Sequence, residues 1–260
     1  MRNTFKIHWP EYLIEAWALA MFMISACLFT ALLEHPSSPL HQAIASDFVR
    51  RGVIGLAMGL TAIGLIYSPW GKRSGAHMNP AVTWTFWRLG KIKTLDAVLY
   101  MAFQFLGGWL GVVISGLVLG SAIADPRVAF AVTVPGPAGT AIAWGAEFGI
   151  SLLLMATILI TSNRPSLASR TGVFAGSLIA LYVLFEAPLS GMSMNPARTL
   201  GSAIPARVYD HLWIYFTAPF IGMLAAAQIY KAWDRRVFCA KLIHNSGYRC
   251  IFCGHKVEPR

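Results

Sequence analysis

Ser74-Gly75-Ala76-His77-Met78-Asn79-Pro80-Ala81 recurs, changed only at its third and fourth positions, as Ser190-Gly191-Met192-Ser193-Met194-Asn195-Pro196-Ala197. Each copy leads into a short apolar run, and chance rarely repeats such a string within one chain. Asn reads as a helix N-cap and Pro as the first helical residue, where its missing N–H costs nothing. The run after Asn79 supports a helix of about ten residues, about 15 Å long. That is half the ~30 Å hydrocarbon core of a bilayer. A single Asn-Pro would read as a surface loop entering an interfacial helix. Two copies at equivalent places read as two re-entrant half-helices.

The segments around these boxes are apolar enough for a membrane. Of 260 residues, 56% are hydrophobic and 12% charged, about half the ~25% charge of soluble chains. Such apolar content excludes disorder, and four Cys exclude a disulfide miniprotein. Six runs have the length of a span, about 20 residues: Tyr12 to Leu33, Gly52 to Pro69, Ala97 to Leu119, Thr140 to Thr161, Thr171 to Leu189 and Leu212 to Tyr230. The first is too long for a signal-peptide core and reads as a retained helix. The expected organisation is an N-terminal segment 1–11, a channel domain 12–232 with repeats 12–119 and 140–232, and a basic Cys/His tail 233–260.

Six crossings put both termini on one side. Taking that side as the cytoplasm, it holds sixteen of the 21 Lys and Arg, leaving Arg50, Arg51, Arg127, Arg198 and Arg207 outside. The bias predicts a multi-pass protein of the cell membrane with both ends inside. It also accounts for the net charge of +10 without nucleic acid.

Three spans per half make the halves antiparallel, so one half-helix enters from each face and their N-termini meet at the midplane. Irregular backbone survives at that depth only when buried in protein or lining a wet cavity. The stretches before each Asn, Gly75-Ala76-His77-Met78 and Gly191-Met192-Ser193-Met194, are expected to run extended and offer carbonyl oxygens to a pore. Asn79 and Asn195 offer amide donors where two positive helix ends converge. Arg198 and those dipoles oppose cations. A water accepting from both amides cannot relay a proton. Glu15 and Glu147 occupy equivalent span positions and, being costly there, are expected to accept N–H bonds from the loops before the half-helices. His77 is expected to be buried and bonded to backbone, and Glu186 to be the solvated end of span five.

The paired Asn-Pro-Ala boxes, Arg198, Ser74-Gly75-Ala76-His77 and the two glutamates resemble the aquaporin, or major intrinsic protein, family over residues 11–232. The resemblance implies an all-α membrane fold: six transmembrane helices plus two re-entrant half-helices in an inverted three-span repeat. It further implies a pore in each protomer of a homotetramer. The family's selectivity filter maps onto Arg198, Met192, Val183 and either Met58 or Gly59. Strict water channels resemble Phe, His, a small residue and Arg there, and this chain has no His. The constriction is therefore expected to be wider or more apolar, with Met192 partly refilling it. Thr199, Ala203 and Tyr215-Phe216 are similar to the water class.

The expected function is passive passage of water and small uncharged solutes such as glycerol, excluding protons and ions. A glycerol facilitator with low water flow is the alternative, and a non-conducting structural protein a remote one. No phosphate loop, nucleophile elbow or His-Glu-x-x-His suggests an enzyme, and only neutral amides converge where a coupled carrier wants ionisable groups. No cofactor is expected in the channel domain. In the tail, Cys239, His244, Cys250, Cys253 and His255 cluster, and of these Cys239, Cys250, Cys253 and His255 are the expected ligand set, with metal-ligand spacing suited to zinc; the competing reading is a flexible basic tail on anionic lipid.

Overall fold

The computed structural model describes residues 2–233, 236–244 and 247–255, apart from the side chains of 2–6. Arg235, Lys256, Arg260 and the side chains of Arg2 and Lys6, all counted among the inner bases, lie outside the described residues. The regular elements described are all helical. The first half comprises α1 (Arg2–Glu34), the short α2 (Pro39–Ala43), α3 (Asp47–Tyr67), α4 (Pro69–Ser74), α5 (Pro80–Arg88) and α6 (Thr94–Leu119). The second comprises α7 (Thr140–Ser162), α8 (Pro165–Ala168), α9 (Thr171–Phe185), α10 (Ala187–Ser190), α11 (Pro196–Ala206) and α12 (Leu212–Ala232).

Among the described residues, five helices are long and apolar enough to cross a bilayer: Ile7–Glu34, Asp47–Tyr67, Thr94–Ala124, Thr140–Ser162 and Leu212–Ala232. The fifth expected span differs. Instead of running to Leu189, α9 ends at Phe185 after 15 residues, about 22 Å of rise. Pro188 explains the break, because it lacks the N–H that would continue the ladder and its ring crowds the carbonyl four residues back. The separate α10 follows the break. At the other end of the chain, α1 starts at Arg2, so most of the segment expected before Tyr12 extends the first helix.

The halves are held by close backbone approach. α1 packs on α6, α7 on α12, and α3 on α9. A Cβ added to Gly59 of α3 would sit 2.6 Å from the carbonyl oxygen of Gly176 in α9, and one added to Gly176 would sit 2.6 Å from that of Gly59. This reciprocal contact relates the two halves. Small residues at helix crossings are how membrane helices gain packing without a hydrophobic driving force between them. Outward, Leu56, Leu60, Leu117, Val118, Leu153 and Leu181 are exposed, an apolar surface suited to lipid.

Candidate functional site

α5 and α11 begin head to head. Asn79 adopts extended backbone (φ −156°, ψ 119°), and its Oδ1 accepts from the N–H of Ala81 at 2.9 Å. Asn195 does the same for α11, accepting from Ala197 at 3.0 Å and Arg198 at 3.2 Å. Each amide nitrogen then donates to the opposite half: Asn79 Nδ2 to Met194 O at 2.7 Å, and Asn195 Nδ2 to Met78 O at 2.6 Å. A carboxamide nitrogen carries two hydrogens. One N–H of each Asn therefore remains for the cavity that both side chains line.

The loops that deliver these residues do not simply run extended as expected but carry left-handed residues at matching places in the two halves. Gly75, Ala76 and Met78 have φ of 107°, 54° and 48°; Gly191, Met192 and Met194 have 81°, 53° and 54°. A left-handed conformation costs a non-glycine residue about 1–2 kcal/mol, so something must hold it. In the first half Glu15 accepts from Ser74 Oγ (2.7 Å), His77 N (3.1 Å), Met78 N (2.7 Å) and Gln104 Nε2 (2.8 Å). In the second, Glu147 accepts from Ser190 Oγ, Ser193 N and Met194 N, each at 2.7 Å. Tyr100 and Tyr215 hydroxyls donate to the carbonyls of Ser74 (2.8 Å) and Ser190 (2.5 Å). Sequence alone did not single out Tyr100 or Gln104, and marked Tyr215 only as part of an aromatic pair; equivalent position in the two repeats is the signal that marks the tyrosines as partners.

A cavity of about 680 Å³ threads the bundle. Along α3 its lining residues run from Asp47, Arg50 and Arg51 through Ile54, Met58 and Ala62 to Ile66, a separation of about 28 Å along the helix. Arg198, Met192, Val183 and Met58, the expected filter, all line it. Gly59 does not: one helical step from Met58, it faces α9 in the contact described above. Ala76, His77, Gly191, Met192 and Ser193 line the cavity too, whereas Gly75 does not, its carbonyl accepting instead from Leu242 N at 3.3 Å. The carbonyls of Met78 and Met194, also expected to face solute, are taken by the opposing Asn.

Two features near the lumen had no sequence signal. Arg198 Nη1 donates to Ala131 O at 2.7 Å. That carbonyl is presented by three consecutive left-handed residues, Ala129, Phe130 and Ala131, none a type that marks such a bend. Glu186, expected to be solvated, is buried, and its carboxyl is within hydrogen-bond reach of Ser190 Oγ, which it shares with Glu147. The break before α10 turns it inward.

His77 is buried, with Nδ1 3.0 Å from Thr83 Oγ1 and Nε2 2.6 Å from Ala240 O. A carbonyl only accepts, so Nε2 carries the hydrogen. Its backbone partner is thus the C-terminal tail rather than its own loop. That tail is folded against the bundle. Cys239, His244, Cys250 and Cys253 bring their ligand atoms within 4.8 Å of one another. His244 takes the place expected for His255, because the tight loop after Cys250 turns the carbonyl of His255, not its ring, back to Cys250 N (2.8 Å). Burial holds the Lys241 ammonium of this segment below its usual value, the nearby Cys250 and Cys239 charges opposing the shift.

The sequence model of the family described as major intrinsic protein matches residues 3–230. The chain is 38% identical over 177 residues to "Aquaporin NIP3-1" of Oryza sativa subsp. japonica, covering 67% of this chain and 55% of that protein. It is 33% identical over 211 residues to "Aquaporin NIP2-3" of Zea mays, covering 80% and 68%. The chain thus spans little more than half the length of the rice relative. Among solved structures, the aquaglyceroporin from Plasmodium falciparum aligns with a TM-score of 0.73 at 19% identity, covering 86% of this chain and 95% of that one. At that identity the likeness is one of fold.

Proposed function

This chain belongs to the major intrinsic protein family and is a multi-pass membrane protein; on that premise we propose that it is a passive channel for water and small uncharged solutes and catalyses no reaction. One observation carries the reading: two half-helix N-termini meet at a lumen, and each capping Asn keeps one N–H for it. A neutral solute exchanges its hydration shell for these donors and for the carbonyls of Ala76, Gly191 and Met192. A cation meets two positive helix ends and the Arg198 guanidinium. A water oxygen accepting from Asn79 and Asn195 has no lone pair for the next water, which interrupts proton relay.

The filter supports glycerol as a second permeant. Beside Arg198 it has Met58, Val183 and Met192, all apolar and none a ring donor. Such a wall suits the carbon backbone of a polyol while Arg198 meets its hydroxyls. The basic bias supports placing both termini in the cytoplasm, and the family resemblance supports a homotetramer in the cell membrane.

The test is stopped-flow light scattering of proteoliposomes, with a chelator present to strip any metal held by the tail cysteines. Sucrose as osmolyte reads water flow, and glycerol as osmolyte reads re-swelling. The reading expects both above protein-free vesicles. Shrinkage at the lipid rate sinks water conduction; re-swelling at the lipid rate sinks glycerol passage.

A further inference from the structure

The C-terminal tail is an arrangement the channel fold does not need. Residues 236–255 contain no helix or strand among those described. Segments of fewer than about 40 residues rarely fix a shape without a disulfide, metal or partner. Yet this one brings three cysteines and a histidine together: Cys239 Sγ is 3.5 Å from Cys250 Sγ, and His244 Nε2 is 3.0 Å from Cys253 Sγ. A tetrahedral zinc with Zn–S bonds of about 2.3 Å holds its sulfurs about 3.8 Å apart. The cluster has that size. Its donors, three thiols and one imidazole, are a structural zinc set.

The same turns pack against the pore loop at one end of the lumen. Between Cys239 and His244, Ala240 O accepts from His77 Nε2 (2.6 Å), Lys241 Nζ donates to Lys72 O (3.1 Å), and Leu242 N donates to Gly75 O (3.3 Å). The buried Leu242 side chain lines the end of the cavity. Between Cys250 and Cys253, Phe252 stacks on His77 with ring centroids 5.7 Å apart and planes 4° from parallel. The four ligand candidates therefore bracket both stretches that touch the pore.

We propose that Cys239, His244, Cys250 and Cys253 bind a zinc ion, and that this ion clamps the tail as a plug over the terminal-side mouth, with Leu242 as its stopper. The blocking half of the proposal rests on the channel reading; the metal half does not. Removing the ion frees two short turns held by few main-chain bonds, and the lumen opens.

The experiment has two readouts on the full-length protein. Metal content of purified protein, with cobalt substitution followed by thiolate charge-transfer absorption, reads the site. About one zinc per chain is expected, lost in Cys250→Ser/Cys253→Ser. Zinc equally low in both proteins, or a Cys239–Cys250 disulfide in the purified parent, overturns the site. Proteoliposome water permeability with and without a chelator reads the plug. It is expected to rise several-fold on chelation. It is also expected to rise in Leu242→Gly, which leaves every ligand in place and the zinc content unchanged, so a misfolded cysteine variant cannot decide the matter. Flow above the lipid rate but indifferent to chelator and to Leu242→Gly overturns the plug alone. Flow at the lipid rate throughout overturns the channel reading and the plug with it, whatever the metal content.

Discussion

Asn195 donates its side-chain N–H to the carbonyl of Met78, 117 residues away and in the other repeat, at 2.6 Å. With the reciprocal bond from Asn79 to Met194, it fastens the two half-helix N-termini to each other while each Asn still caps its own helix. One residue thus serves fold and lumen at once, and its substitutions should separate the two roles.

Asn195→Asp keeps an oxygen to cap α11 but turns the donor facing Met78 O into a second acceptor. It also sets a negative charge beside the lumen. A unit charge about 4 Å from a passing cation is worth about 4 kcal/mol at an effective dielectric of 20. Cation or proton leak should rise at least about ten-fold, read with a pH dye inside proteoliposomes. Leak equal to that of the parent would remove Asn195 from the ion barrier.

Glu147→Gln tests the scaffold. Glu147 takes three donors, and an amide replacing one oxygen would point its own N–H groups at those of Met194 or Ser193. Losing a charge-assisted bond and orphaning a buried donor costs about 3 kcal/mol. A clear drop in melting temperature in detergent is expected, together with reduced water flow. Unchanged melting would mean that the left-handed loop holds itself.

Gly59→Ala should destabilise the protein by about 1–3 kcal/mol, since the added methyl would meet Gly176 O at 2.6 Å. Gly64→Ala in the same helix has open space around the new carbon and should leave melting unchanged or slightly raised. Equal behaviour of the two variants would deny the α3–α9 contact its role.

Val183→His puts a ring and a polar donor where the filter is apolar. Glycerol re-swelling should fall about ten-fold or more while water shrinkage persists. Parallel loss of both would indicate a general collapse of the lumen instead of a size filter.

The channel domain was largely legible because its chemistry is written twice. The duplicated Asn-Pro-Ala boxes, Glu15 against Glu147 and six apolar runs constrain one another, and a wrong register in one half would break the match with the other. Other features were not legible because long-range packing decides them. Helical phase, set by the Gly59–Gly176 contact, chooses Met58 over Gly59 for the lumen. Pro188 ends α9 early and buries Glu186. Ala129, Phe130 and Ala131 bend left-handed with no glycine or asparagine to announce it. His77 finds its carbonyl 163 residues away in the tail, a pairing that no local pattern encodes.

The most direct test of the central claim is the shrinkage rate of proteoliposomes in hypertonic sucrose with chelator present, with internal pH followed in the same vesicles. A water pore interrupted for protons at Asn79 and Asn195 predicts shrinkage several-fold faster than protein-free vesicles, with proton leak at the lipid level. Shrinkage at the lipid rate, or fast shrinkage accompanied by an equally raised proton leak, would contradict it.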